Sequence, residues 1–268
     1  MRAWTLGSGS RGNAIVLECG STRILVDAGY PARTLARRLA TANIAPESIS
    51  AVVVTHEHID HSRGVAPAHA RWAWQVFGTA GTLAGIDALP TGSRNAIEPG
   101  TPFAVGDFDI TLVRVPHDAT APTAVLLTGR QSGFRAAVAH DLGMVPDGLR
   151  GALSDLDLLL LESNHDDHML RTGPYPAFLQ QRIASRTGHL SNHQTAELVG
   201  GLKVAALSGL VLLHLSEKNN TPGIATASAK QALQRAGGRC PVAAAPQGEV
   251  AGPYGDVIRR PQQLALAI

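Results

Sequence analysis

The segment Thr55–His61 (THEHIDH) places four metal-capable side chains, His56, His58, Asp60 and His61, within six residues. It follows directly on Ser50–Thr55 (SAVVVT), an apolar run that reads as a buried strand. Backbone leaving a strand end turns within a few residues, so neighbouring side chains converge on a point. Neutral imidazole suits zinc, iron, nickel or manganese, and a carboxylate adds charge neutralisation. The competing reading is a polar loop that is His-rich by accident. The string is not a zincin motif, because HExxH requires His where Asp60 stands.

Three more apolar runs end in metal-capable residues. Val113–Pro116 runs into His117, Ala136–Ala139 into His140 and Asp141, and Val211–Leu213 into His214. A lone His at a strand end is more often capped or solvated than a ligand. Beside the first cluster these residues read as a set. His56, His58, Asp60, His61, His117, Asp141 and His214 suffice for two metals with open positions for water and substrate.

The elements that must position this set are partly legible. Residues 14–19 and 23–27 read as consecutive strands around a turn at Gly20 and Ser21. Residues 32–41 have helical spacing through Leu35 and Leu39. Strand-like runs follow within 103–115 and 124–139 and at Leu156–Leu161. Ser191 and Gln194 form an S-x-x-Q capping box that predicts a helix start at Ser191. Leu210–Leu215 reads as a buried strand, and Pro222 suits the first turn of a helix running to about Arg235. Strands come first, then strands alternating with helices, which predicts a layered α/β domain with sheets inside. The last twenty or so residues have no readable pattern. Gly7–Gly12 matches GxGxxG, but a strand follows it, so a dinucleotide site is rejected. The loop is expected to bring its backbone and Asn13 towards the site, where N–H groups could hold a phosphate; a plain tight turn is the alternative.

The 268 residues fit one large α/β domain, 1–268. Hydrophobic residues are 44% and aromatics 4%, so the core must be aliphatic. Lys and Arg number 23 against 21 Asp and Glu, too even a balance to announce a nucleic-acid binder, though a local patch would suffice. Cys19 and Cys240 follow no paired spacing, which suits a reducing compartment. No run approaches the ~20 apolar residues of a membrane span. A soluble, cytoplasmic protein with no membrane partner is expected.

Taken together, the strings LGSGSRGNAIVL, ILVDAG, VTHEHIDHSRGV, PHDA, ESNHD, GHLSN and HLSEKNNTP, spread over residues 6–222, resemble the metallo-β-lactamase-fold hydrolases. GHLSN and HLSEKNN are similar to the YycJ (WalJ) branch, often described as metal-dependent nucleases. The resemblance implies a four-layer αββα fold with two mixed β-sheets between helices. It implies two divalent ions, Zn2+ and/or Mn2+. His56, His58 and His117 would hold one, Asp60, His61 and His214 the other, and Asp141 would bridge them. It implies His189, Asp60 and Asp141 as catalytic residues, with a two-metal-activated hydroxide as nucleophile and His189 protonating the leaving oxygen. His189 also lies just before the helix start at Ser191, a setting that favours anions; packing beside that cap is the alternative. Asp27 is expected to support the metal site, or else to be a simple turn residue.

The resemblance further implies a phosphodiester hydrolase acting on DNA, an exonuclease-like enzyme without an organic cofactor. A thioester or lactone hydrolase of the same fold is the alternative enzyme, and a metal-dependent binding module the non-enzymatic one. Metal identity and oligomeric state stay open. His140 departs from the family pattern and is taken as a bystander, with an extra ligand or a proton shuttle as the alternatives. Glu162, Asn164 and His165 resemble a branch motif without an assignable role. The chain has no room for the inserted domain of RNA-processing relatives. Arg11, Arg63, Arg171, Arg182, Arg186 and Lys218 are candidates for a basic rim, and Trp72 or Trp74 for base stacking, with one of the two expected in the core.

Overall fold

Buried apolar side chains fall into three separate layers, and these define the architecture of the computed structural model, which describes residues 1–255. The middle layer lies between two β-sheets and includes Ile15, Leu17, Val53, Ile110, Val138, Leu160 and Val211. The outer layers lie between each sheet and its covering helices. Both faces of each sheet are therefore buried, which explains why the central strands are continuous apolar runs. Within them the faces still alternate. Ile15 and Leu17 point to the middle layer and Ala14 and Val16 to the outer one. Leu158 and Leu160 face inward, Leu159 and Leu161 outward.

The first sheet contains β1 (Arg2–Gly7), β2 (Ala14–Cys19), β3 (Thr22–Val26), β4 (Ile49–Val53), β5 (Gln75–Gly78) and β6 (Arg94–Ala96). The second contains β7 (Phe103–Val105), β8 (Phe108–Arg114), β9 (Thr123–Gly129), β10 (Arg135–Ala139), β11 (Leu158–Glu162), β12 (Gly209–Leu213) and β13 (Val242–Ala244). The last strand, β14 (Ala251–Tyr254), returns to pair with β1, so each sheet has seven strands. Both are mixed. β1–β2–β3 and β7–β8–β9–β10 are antiparallel, whereas β3–β4–β5–β6 and β10–β11–β12–β13 are parallel.

Strands of the first sheet are followed by α1 (Ala32–Thr41), α2 (Ile59–Ser62), α3 (Val65–Trp72) and α4 (Ala80–Ala84). Those of the second are followed by α5 (Asp147–Ala152), α6 (Asp167–Thr172), α7 (Ala177–Ile183), α8 (Asn192–Gly201) and α9 (Pro222–Arg235). The bounds of α1 and α9 coincide with the helical spacing and the Pro222 signal. The capping box at Ser191 is present, with Ser191 Oγ accepting from Gln194 N–H and the Gln194 side chain accepting from Ser191 N–H. The four-layer αββα expectation is met. The unpatterned tail contributes β14, and its residues 256–268 lie outside the described part.

The topology dictates where chemistry gathers. Parallel strands β3, β4, β10, β11 and β12 end on the same side of their sheets, and β8 runs in the direction of β10. Ligands in such sheets sit beyond the carboxyl ends of the strands.

Candidate metal centre

Asp27 follows β3, His56–His61 follow β4, His117 follows β8, Asp141 follows β10, Glu162 ends β11 and His214 follows β12. The seven residues read as ligands from the sequence all come together there. Ring nitrogens of His56, His58 and His117 lie within 4.8 Å of one another. So do the ligand atoms of Asp60, His61 and His214. Asp141 stands between the groups, with Oδ2 3.7 Å from His56 Nε2 and 2.8 Å from His61 Nε2, and Oδ1 3.5 Å from His214 Nε2.

The backbone is bent to achieve this. Asp27, Asp141 and His214 have φ of +60°, +55° and +53°. That left-handed region costs an ordinary residue about 1–2 kcal/mol, and such strain gathers at functional sites. The His-rich loop is tied in by backbone bonds: Asn13 N–H donates to Asp60 O (2.7 Å) and Ala28 N–H to His61 O (2.8 Å). Gly29 allows the approach, since a Cβ there would stand 1.7 Å from Asp60 O.

A further ring of residues orients the imidazoles. Asp27 Oδ2 lies 2.7 Å from His61 Nδ1, and the same carboxylate accepts from Thr55 N–H (2.7 Å) and Thr55 Oγ1 (2.8 Å). Thr55 Oγ1 also lies 3.1 Å from His56 Nδ1. His117 Nδ1 lies 3.2 Å from Gly188 O, and Asn164 Nδ2 donates to His214 O (2.9 Å). Engagement of Nδ1 turns Nε2 of His56, His61 and His117 towards the cluster.

His189 Nδ1 lies 2.7 Å from Glu162 Oε1 and 3.2 Å from Asp141 Oδ1, and its ring stacks on that of His214 at 5.1 Å. Glu162 is fully buried and its other oxygen accepts from Leu142 N–H (2.7 Å) and Leu190 N–H (3.2 Å). Sequence reasoning gave Glu162 no role. A charged residue closing a wholly apolar strand is the signal that marks it. His140 is buried, with Nε2 2.9 Å from Asp27 Oδ2, the carboxylate that also holds His61. The Gly-rich loop does reach the site, through Ser8, whose Oγ accepts from His214 N–H (2.8 Å), and Asn13, whose Nδ2 is 3.0 Å from His61 Nε2.

The donor set suits cations. His56 Nε2 and His214 Nε2 are buried without a hydrogen-bond partner. Both Asp141 oxygens are also unsatisfied, because the imidazoles near them lie off the hydrogen-bond direction. Buried polar atoms are rarely left so. Protonation states point the same way. Burial pushes the His56 and His117 imidazoles down, which keeps them neutral. Burial would raise the carboxyl of Asp141, but His214 and His61 hold it well below the usual range. Burial would lower His61, yet Asp141 and Asp27 raise it, so an incoming cation must displace its proton. Burial would likewise lower His189, but Glu162 and Asp141 outweigh it and push it up to about 10.

The cluster floors a cavity of about 290 Å3. Of the six basic candidates, Arg182 lines it, paired with Asp118 at 2.6 Å. Arg11 is paired with Glu217, and Arg63, Arg171, Arg186 and Lys218 are exposed. Trp74 is wholly buried with Trp72 stacked on it at 4.9 Å, in the outer layer of the first sheet rather than at the cavity.

Residues 22–215 match the model of the beta-lactamase superfamily domain. The chain is 34% identical over 229 residues to the exodeoxyribonuclease WalJ of Streptococcus pneumoniae serotype 2, covering 82% of this chain and 83% of that protein. It is 29% identical over 236 residues to the exodeoxyribonuclease YycJ of Bacillus anthracis, covering 87% and 89%. Its fold matches the metallo-beta-lactamase fold protein YhfI from Bacillus subtilis with TM-score 0.71 at 18% identity, covering 93% and 98% of the two chains.

Proposed function

The chain belongs to the beta-lactamase superfamily, and we propose that it is a metal-dependent phosphodiester hydrolase acting on DNA from an end. The observation that carries this is His189. It stands beside the ligand cluster with Nδ1 hydrogen-bonded to Glu162, which leaves Nε2 for a substrate oxygen. The likeness to two named exodeoxyribonucleases over most of the chain supports DNA as the substrate.

His56, His58 and His117 would hold one divalent cation and Asp60, His61 and His214 a second, with Asp141 shared. Zinc or manganese suits this mixture of imidazole and carboxylate. Two such cations supply charge neutralisation at phosphate oxygens and a lowered pKa for water. The chain's own groups do the rest. Asp27 and Thr55 fix the rings of His61 and His56. Glu162 keeps His189 protonated and in place, and His189 Nε2 gives its proton to the departing deoxyribose oxygen. Burial of the cluster excludes bulk water and strengthens each of these interactions.

The test is direct. Purified protein is incubated with end-labelled DNA and manganese or zinc, beside an Asp141→Ala variant, p-nitrophenyl phosphodiesters and S-lactoylglutathione. Stepwise shortening of DNA by the wild type alone is expected. Inert DNA together with rapid thioester turnover would overturn the proposal.

A further inference from the structure

Helix α7 buries none of its side chains, yet it stands against the catalytic cavity. Leu179 and Ile183, four residues apart and so on one helix face, line that cavity together with Tyr175 and Arg182. The remainder of the lining is dominated by the polar ligand cluster and Asp118, Asn164, Ser10 and Ser216. One wall of a strongly polar site is thus apolar, and its side chains Tyr175, Leu179 and Ile183 are only half-buried.

The wall is fixed relative to the chemistry. His189 N–H donates to Ile183 O at 2.8 Å. Gly188 permits that closeness, since a Cβ there would stand 2.2 Å from the same oxygen. On the outer side, Arg182 Nε and Nη2 both donate to Asp118 Oδ2, at 2.9 and 2.6 Å. The end of α7 is therefore held beside the imidazole that the proposed reaction uses.

We infer that Tyr175, Leu179 and Ile183 form a stacking wall for the nucleobase of the terminal nucleotide whose phosphodiester is cleaved. This rests on the phosphodiesterase reading above. A nucleotide brings an anionic phosphate and a base with two stacking faces, and the cavity pairs a cation-binding floor with an apolar side. Its volume, about 290 Å3, is at the lower bound of ligand pockets and suits one nucleotide rather than a length of strand. The guanidinium on this wall is already committed to Asp118. Apolar side chains hold any base by its face, so the wall is tolerant of sequence.

The test compares DNA carrying an ordinary base at the terminal nucleotide with DNA carrying a tetrahydrofuran abasic analogue there, at either end in turn. The wild type should cleave the abasic end roughly tenfold more slowly in kcat/KM or worse, with little difference among the four bases. That ratio should fall towards unity in Leu179→Ser with Ile183→Ser, and in Tyr175→Ala. The ratio is internal to each protein, so a general loss of activity does not move it. Equal cleavage of both ends by the wild type, or an unchanged ratio in the variants, would overturn the wall and leave the phosphodiesterase reading intact. Failure of the wild type to cleave either DNA would overturn both.

Discussion

Replacing His189 with Ala should separate two substrates that differ only in how well the leaving oxygen bears negative charge. His189 Nδ1 is held by Glu162 at 2.7 Å, and the imidazole is pushed up to about 10, so it is protonated at neutral pH. A positioned general acid is worth about 10²–10⁴ in rate, which is roughly 3–5 kcal/mol of barrier. DNA must lose that full factor, because its leaving group is an alkoxide. Thymidine p-nitrophenyl phosphate needs no proton to release its aryl oxide, so it should lose far less. Glu162→Gln keeps the ring but removes the charge on its partner. Charge-assisted hydrogen bonds are worth about 1.5–3 kcal/mol and roughly twice a neutral one, so losing about half predicts a drop of roughly 4- to 12-fold on DNA. The assay is kcat/KM for both substrates with wild type, His189→Ala and Glu162→Gln at fixed metal concentration. Equal losses on the two substrates, or none on DNA, would refute the acid role.

Other consequences follow from residues around the cluster. Asp27→Asn should weaken binding of the second cation about 10–100-fold, read by chelator competition, because the carboxylate that holds His61 Nδ1 at 2.7 Å is lost. Asn220→Ala should cost about 1–3 kcal/mol in urea unfolding. Asn220 and Asn192 exchange a reciprocal pair of amide hydrogen bonds, both 2.9 Å and buried, and Asn192 Nδ2 would be left without a partner while its Oδ1 keeps Ser163 Oγ. Glu18→Gln should lower the Tm at pH 7 and by progressively less as the pH falls below the ordinary carboxylate range. Burial would raise the Glu18 carboxyl, but Arg2 and Arg23 outweigh it and hold it below its ordinary value. A depressed carboxylate contributes stability above its unfolded pKa and loses it as the pH falls through the folded one. The two arginines are partly exposed, so the effect is on the order of 1 kcal/mol.

The sequence was most informative where a residue's role is visible from its own neighbours. His56, His58, Asp60, His61, His117, Asp141 and His214 each follow an apolar run, and parallel strands deliver such ends to one place. Helices α1 and α9 carried their own spacing or start signal. Residues whose role depends on a distant partner were opaque. Glu162 is explained only by His189, 27 positions away, and His140 only by Asp27 across the two sheets. Asn192 and Asn220 meet only once α8 and the loop after β12 are packed. Strands β13 and β14 are three and four residues long, too short for alternation to show. Of the two tryptophans, Trp74 is the one in the core, as expected of one of the pair, and Trp72 stacks on it away from the cavity.

The central claim is that His56, His58, His117, Asp60, His61, His214 and Asp141 together hold two cations. Crystals grown with zinc or manganese and measured at the absorption edge of that metal test it most directly. Two anomalous peaks are predicted, one among His56, His58 and His117 and one among Asp60, His61 and His214, with Asp141 touching both. No peak, a single peak, or a peak seated instead between Asp27, His61 and His140 would contradict it.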